Sequence, residues 1–105
     1  MLVTTTSTVD GKQVQEYLGV INAQSIIGAN IFKDIFAGLR DVFGGRSKTY
    51  EKVLEQAKED ALRESSEKAQ ALGANGILGV DLDFETIGSG GSMLMVIATG
   101  TAVRF

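Results

Sequence analysis

The feature that most restricts this chain is its last strand-like stretch, Met93 to Phe105. Successive strand residues point to opposite faces of a sheet, and here both sets are apolar: Met93, Met95 and Ile97 on one side, Leu94, Val96 and Ala98 on the other. A strand of this kind needs cover on both faces. A chain of 105 residues has the size of one domain and a modest core of its own, so residues 1–105 are read as a single domain that has little material to supply both covers.

The rest of the chain reads as α+β. Residues 2–5 form a short β segment and Val14 to Ile27 is strand-like, with the Asp10-Gly11 turn signal between them; the pair is either a β-hairpin or a short strand followed by a longer one. Residues 31–43 carry a helical period. At ~100° per residue, Ile31, Phe32, Ile35, Phe36, Leu39, Val42 and Phe43 fall within an arc of about 140°, with Asn30 as cap and Gly44-Gly45 as stop. A second, longer helix runs from a cap at Ser47 to about Leu72 and ends at Gly73. Its surface is laced with charges of both signs, Glu59–Arg63 and Glu64–Lys68 being spaced for i,i+4 pairing. Its apolar stripe is Tyr50, Leu54, Ala57, Ala61, Ser65 and Leu72, small in the middle, which lets another backbone approach closely. Ile77 to Ile87 alternates, Leu78, Val80, Leu82 and Phe84 against Gly79, Asp81, Asp83 and Glu85, and the Gly/Ser loop 88–92 leads into the final strand. The order is β-β-α-α-β-β, a mainly antiparallel sheet with helices on one face.

Five linked stretches carry a resemblance. They are Gly28-Ala29-Asn30-Ile31-Phe32-Lys33-Asp34-Ile35; Arg40-Asp41-Val42-Phe43-Gly44-Gly45-Arg46-Ser47 with Tyr50-Glu51; Leu72-Gly73-Ala74-Asn75-Gly76-Ile77; Gly79-Val80-Asp81-Leu82-Asp83-Phe84-Glu85; and Met93-Leu94-Met95-Val96 with Gly100-Thr101-Ala102-Val103. In this order the chain, from about residue 5 to residue 105, resembles the YbjQ-like family of small bacterial proteins. The resemblance implies a subunit of the dodecin-like kind that assembles into a ring, typically a pentamer. It implies no established activity, and the family often carries a heavy-metal-binding label.

The chemistry available is narrow. There is no Cys and no His, which removes thiolate and imidazole ligands, Cys nucleophiles and a histidine base. Soft metals prefer sulfur and nitrogen, so no tight Zn²⁺, Cu²⁺ or Cd²⁺ site is expected within one subunit. Asp81, Asp83 and Glu85 share one strand face and are the candidates for a hard cation such as Mg²⁺, Mn²⁺ or Ca²⁺ held weakly through oxygen; a solvated face, or pairing with Arg or Lys across a subunit boundary, is the more ordinary reading of them. Gly44, Gly45, Arg46 and Ser47, before the long helix, are the candidates for an anion at free N–H groups, against an ordinary interhelix turn.

No nucleophile–base pair is visible, no cofactor is expected, and the ligand is left open. The reading is a non-enzymatic ligand-binding or scaffold protein, with a hard-cation-dependent enzyme as the alternative. The net charge of −3 argues against nucleic acid. The polar face of helix 31–43 bears both signs of charge and gains nothing from anionic lipid, so no membrane partner is expected. The Thr-rich start has no basic or apolar leader pattern, and the expected setting is cytoplasmic. The expected partner is the chain itself, as a homo-oligomer and most simply a pentamer, with Ile31, Phe32, Ile35, Phe36, Phe43, Met93 and Met95 as interface candidates.

Overall fold

The two-sided final strand forms and lies inside the sheet. A computed structural model describes residues 1–31 and 48–105, the side chains of residues 48–50 excepted. Four strands, β1 (Leu2–Val3), β2 (Glu16–Ile27), β3 (Gly76–Ile87) and β4 (Met93–Arg104), and a long helix, Lys48–Ala71, make up the described architecture. Residues 29–31 are also helical and open the first α element, so the order is β-β-α-α-β-β. Asn30 therefore sits inside that helical segment and does not cap it. The expected helix beyond Ile31, with Gly44, Gly45 and the Ser47 cap, lies outside the described residues.

The sheet order is β1-β3-β4-β2. β4 pairs antiparallel with both β3 and β2, while β1 pairs in parallel with the start of β3, Leu2 beside Gly76 and Val3 beside Ile77. The N-terminal strands are thus not a hairpin. The Asp10-Gly11 turn does form, closed by the Lys12 N–H donating to Val9 O at 3.1 Å, but it lies within a connection that carries the chain from one edge of the sheet to the other.

The long helix packs on one face through a row of small residues. Ala57, Ala61, Ser65 and Ala69 are all buried, spaced at i,i+4, and they meet Ala98 and Ala102 of β4 and Ile21 and Ile27 of β2 in two adjoining apolar clusters. Ser65 satisfies its hydroxyl within the helix, donating to Ala61 O at 2.8 Å. Leu72, expected on this stripe, is 50% exposed, and Ala69 takes its place. The reason is the helix end. Gly73, at φ +90°, donates to Gln70 O, and Ala74 donates to Ala69 O, each at 3.0 Å. This paired pattern turns the chain out of the helix at Leu72 and tucks Ala74 under the helix against Ala69. The expected charge pairs are also redrawn: Arg63 meets Asp60 at 3.1 Å and Glu67 at 3.9 Å, and Lys68 leaves the helix surface altogether.

β3 does not alternate as a uniform strand. Its register against β4 shifts between Leu78 and Asp81, so Gly79 and Val80 together stand opposite Gly100. Gly79 adopts φ +61°, a conformation that favours glycine. The bulge moves Leu78 to the face away from the helix, while Val80 and Leu82 stay on the helix side. Leu78, expected beside Val80 and Leu82, is therefore on the face of Asp81, Asp83 and Glu85. The two N–H groups of the bulge are taken up by the N-terminal segment: Gly79 donates to Thr6 O at 2.9 Å and Val80 to Thr4 O at 3.0 Å.

Candidate functional site

The face of the sheet away from the helix is where the unexplained chemistry lies. Pairing register places on it Met93, Met95, Ile97, Thr99 and Thr101 from β4, Val20, Asn22, Gln24 and Ile26 from β2, and Asp81, Asp83, Glu85 and Ile87 from β3. One end of this face is closed. There Val103 is fully buried and Leu78 nearly so, Phe105 lies over Gly76, and Lys12 Nζ stands 5.4 Å from the Phe105 ring centroid. The other end is open. Met93, Met95 and Ile97 are half-buried, and Ile26 is 54% and Val20 76% exposed. Of the interface candidates, Met93 and Met95 thus share this face, and Ile31 is 52% exposed beyond the end of β2. Phe32, Ile35, Phe36 and Phe43 lie outside the described residues.

The acidic ladder stands on the same face. Residues two apart on a strand are about 6.5–7 Å apart along it, and Asp81 and Asp83 keep that relation past the bulge. The Asp81 charge, with some desolvation, a carboxyl–carboxyl hydrogen bond to Asp81 and a smaller repulsion from Glu85, raises the Asp83 carboxyl above its ordinary value. That is the effect of like charges held side by side. Among the described residues no three Asp, Glu, His or Cys side chains converge tightly enough to hold a metal ion. The strand spreads Asp81, Asp83 and Glu85 in a line where a chelate needs them around a point. The anion candidates Gly44, Gly45, Arg46 and Ser47 lie outside the described residues.

Two features of this region were not anticipated. The first is Lys68, whose ammonium donates to the Asn22 carbonyl at 2.8 Å, placing a cation on the open edge of β2. The second is the bulge, which decides which side chains accompany the ladder. A lone glycine inside an alternating strand signals such a bulge, and Gly79 is that glycine. Nothing in the helix pattern signals Lys68, because its partner is 46 residues away.

A small α+β chain with a helix-covered sheet, an open opposite face and no assembled reactive centre among its described residues is the class of protein this structure defines. The family described as "Putative heavy-metal-binding" (YbjQ) matches residues 1–105, and the chain belongs to that family. A crystal structure of a DUF74-family protein of unknown function from Pediococcus pentosaceus has the same fold, with a TM-score of 0.66 and 19% identity over 100% of this chain and 97% of that one.

The metal named in the family description does not fit these residues. The sequence offers no thiolate and no imidazole, and the described carboxylates do not converge. Met93 and Met95 present thioethers on the open face, but two weak neutral donors do not make a heavy-metal site on their own. No helix among the described residues is long and apolar enough to cross a membrane.

Proposed function

We propose that this chain is a non-enzymatic homo-oligomer, a pentameric ring of the kind its family resemblance implies, working in the bacterial cytoplasm as a scaffold or ligand-binding assembly. One observation carries the proposal: β4 buries Leu94, Val96 and Ala98 completely or nearly so under the helix, while Met93, Met95 and Ile97 on its other face are left part-exposed beside exposed Ile26. Contiguous exposed apolar surface marks association sites, and burying each such side chain contributes roughly 1.5–3 kcal/mol. Sedimentation equilibrium at micromolar concentration is the test, with an assembly expected. A folded monomer overturns the reading, and a stable dimer or hexamer overturns only the number.

A second use rests on the raised Asp83 carboxyl. Like charges held together are relieved by a cation, and hard cations accept carboxylate oxygen, so weak Mg²⁺, Mn²⁺ or Ca²⁺ binding, and chemistry dependent on it, is the alternative. Calorimetric titration of the wild type beside Asp81→Asn and Asp83→Asn distinguishes the two readings: heat that disappears in the variants supports the cation, and no heat leaves the scaffold reading alone. The same titration with Zn²⁺ is expected to give no stoichiometric sub-micromolar binding.

A further inference from the structure

We propose that the open edge of β3 from Asp81 to Ile87 takes up β2 of a second copy in parallel, so that the sheet of one subunit runs on into the next. This rests on the self-assembly reading above and states how it is achieved. β1 covers only the start of β3, and the N–H groups of Gly79 and Val80 are used by Thr6 and Thr4. Beyond them, alternation turns the N–H and C=O of Leu82, Phe84 and Thr86 away from β4. On β2 the outward residues are Val20, Asn22, Gln24 and Ile26. The Asn22 carbonyl, free to accept Lys68, sets that parity. It agrees with the parity obtained from β3, because Asn22 and Asp81 both stand opposite Thr99.

The two edges suit one another in face, direction and height. The outward residues of β3 have side chains on the helix face, and those of β2 have side chains on the open face. In a parallel pair an outward residue of one strand stands opposite an inward residue of the other. Parallel pairing of β3 with β2 therefore keeps both helices on the same side, whereas antiparallel pairing would flip one sheet over. β3 and β2 already run the same way, each being antiparallel to β4, so a rotation about an axis along the strands delivers the parallel junction. Phe84 and Ser25 are level across the sheet, both opposite Val96. An unsheared junction then sets Phe84, 47% exposed in one chain, beside Ser25 of the next copy, between the free edge groups of Gln24 and Ile26. Lys68 guards Asn22, just below this stretch.

Charge excludes the competing symmetric contact. Joining β3 to β3 would align two ladders of Asp81, Asp83 and Glu85, and like charges directly across strands are destabilising. Joining β3 to β2 sets the ladder beside neutral Gln24 and Ile26.

The test uses two edge blocks. Thr86→Pro and Gln24→Pro each remove an outward N–H that has no partner among the described residues, a place where a strand tolerates proline. Each variant alone is expected to be a folded monomer in sedimentation, and an equimolar mixture is expected to form a two-chain particle through the one junction left intact. A wild type that is itself monomeric sinks the self-assembly reading and this junction with it. A wild type that assembles while either proline variant assembles equally well overturns the junction alone, as does a Gln24→Pro variant that dimerises by itself. If a proline variant fails to fold, Ile26→Asp, which sets a carboxylate against the neighbouring ladder, takes its place. Loss of assembly in Ile26→Asp, restored by adding Glu85→Lys opposite it, is expected, and assembly unchanged by Ile26→Asp overturns the proposal.

Discussion

The two faces of β4 are chemically alike and physically unlike. Leu94, Val96, Ala98 and Ala102 on one side are buried at 6% exposure or less; Met93, Met95 and Ile97 on the other are half-buried. The difference is not in the strand. Among the described residues it lies in what covers each face: a helix with a row of small residues on one, and on the other only Phe105 and the Lys12 segment at one end. A residue's apolarity states that it must be covered. Only the fold states whether its own chain does the covering.

The largest expected effect comes from placing a charge on each face in turn. Val96→Asp sets an unpaired carboxylate in the fully buried cluster under the helix, which costs more than about 4 kcal/mol and should abolish the cooperative circular-dichroism melt. Ile97→Asp, one residue on, should leave the melt of the chain in place and remove the assembly proposed above, as read by sedimentation. If both variants unfold alike, the two faces are equivalent and the comparison fails.

Next comes the helix side alone. Ala61 is fully buried where helix and sheet approach closely, so Ala61→Leu forces them apart at a cost of about 1–3 kcal/mol, read as a lower midpoint in urea. A smaller loss follows at the helix end. Gly73→Ala puts a Cβ at φ +90°, which costs about 1–2 kcal/mol and should lower the melting temperature without altering assembly, since Gly73 lies on neither the open face nor an open edge.

The smallest effect tests the open face through its charges. The folded-state Asp83 carboxyl is raised by Asp81. A raised folded pKa means that its contribution to stability is fully present below the ordinary carboxylate value of about 4 and is lost as pH rises through the folded value. Asp83→Asn should therefore flatten the fall in stability that begins near that ordinary value and continues above it, and should leave the protein no less stable than wild type at neutral pH. A pH profile unchanged by the substitution would separate Asp83 from the repulsion assigned to it.

Much of this was legible residue by residue. The long helix was expected at 47–72 and is Lys48–Ala71; the last two strands were expected at 77–87 and 93–104 and are Gly76–Ile87 and Met93–Arg104. Period and punctuation carry such elements, because the 3.6- and 2-residue repeats are set by backbone geometry within the element itself. The acidic ladder was legible for the same reason, and its three residues do share one face. Its failure to converge on a point also follows from a straight strand.

What the sequence alone determined, then, is local: where strands and the long helix run, where Gly73 ends that helix, and that β4 is apolar on both sides. The tertiary structure decided which strand stands beside which, and here the reading from sequence went furthest astray. Of the two arrangements left open for the N-terminal strands the hairpin did not form and β1 pairs with β3, Leu78 changed faces at the Gly79 bulge, Arg63 turned to Asp60 and Glu67, and Lys68 crossed to Asn22. Each of these depends on partners brought together by chain closure rather than by spacing along the chain. A bulge shifts every later side chain by one position, and a lysine on a charged helix surface has many partners of nearly equal worth until one carbonyl at a sheet edge is placed within its reach.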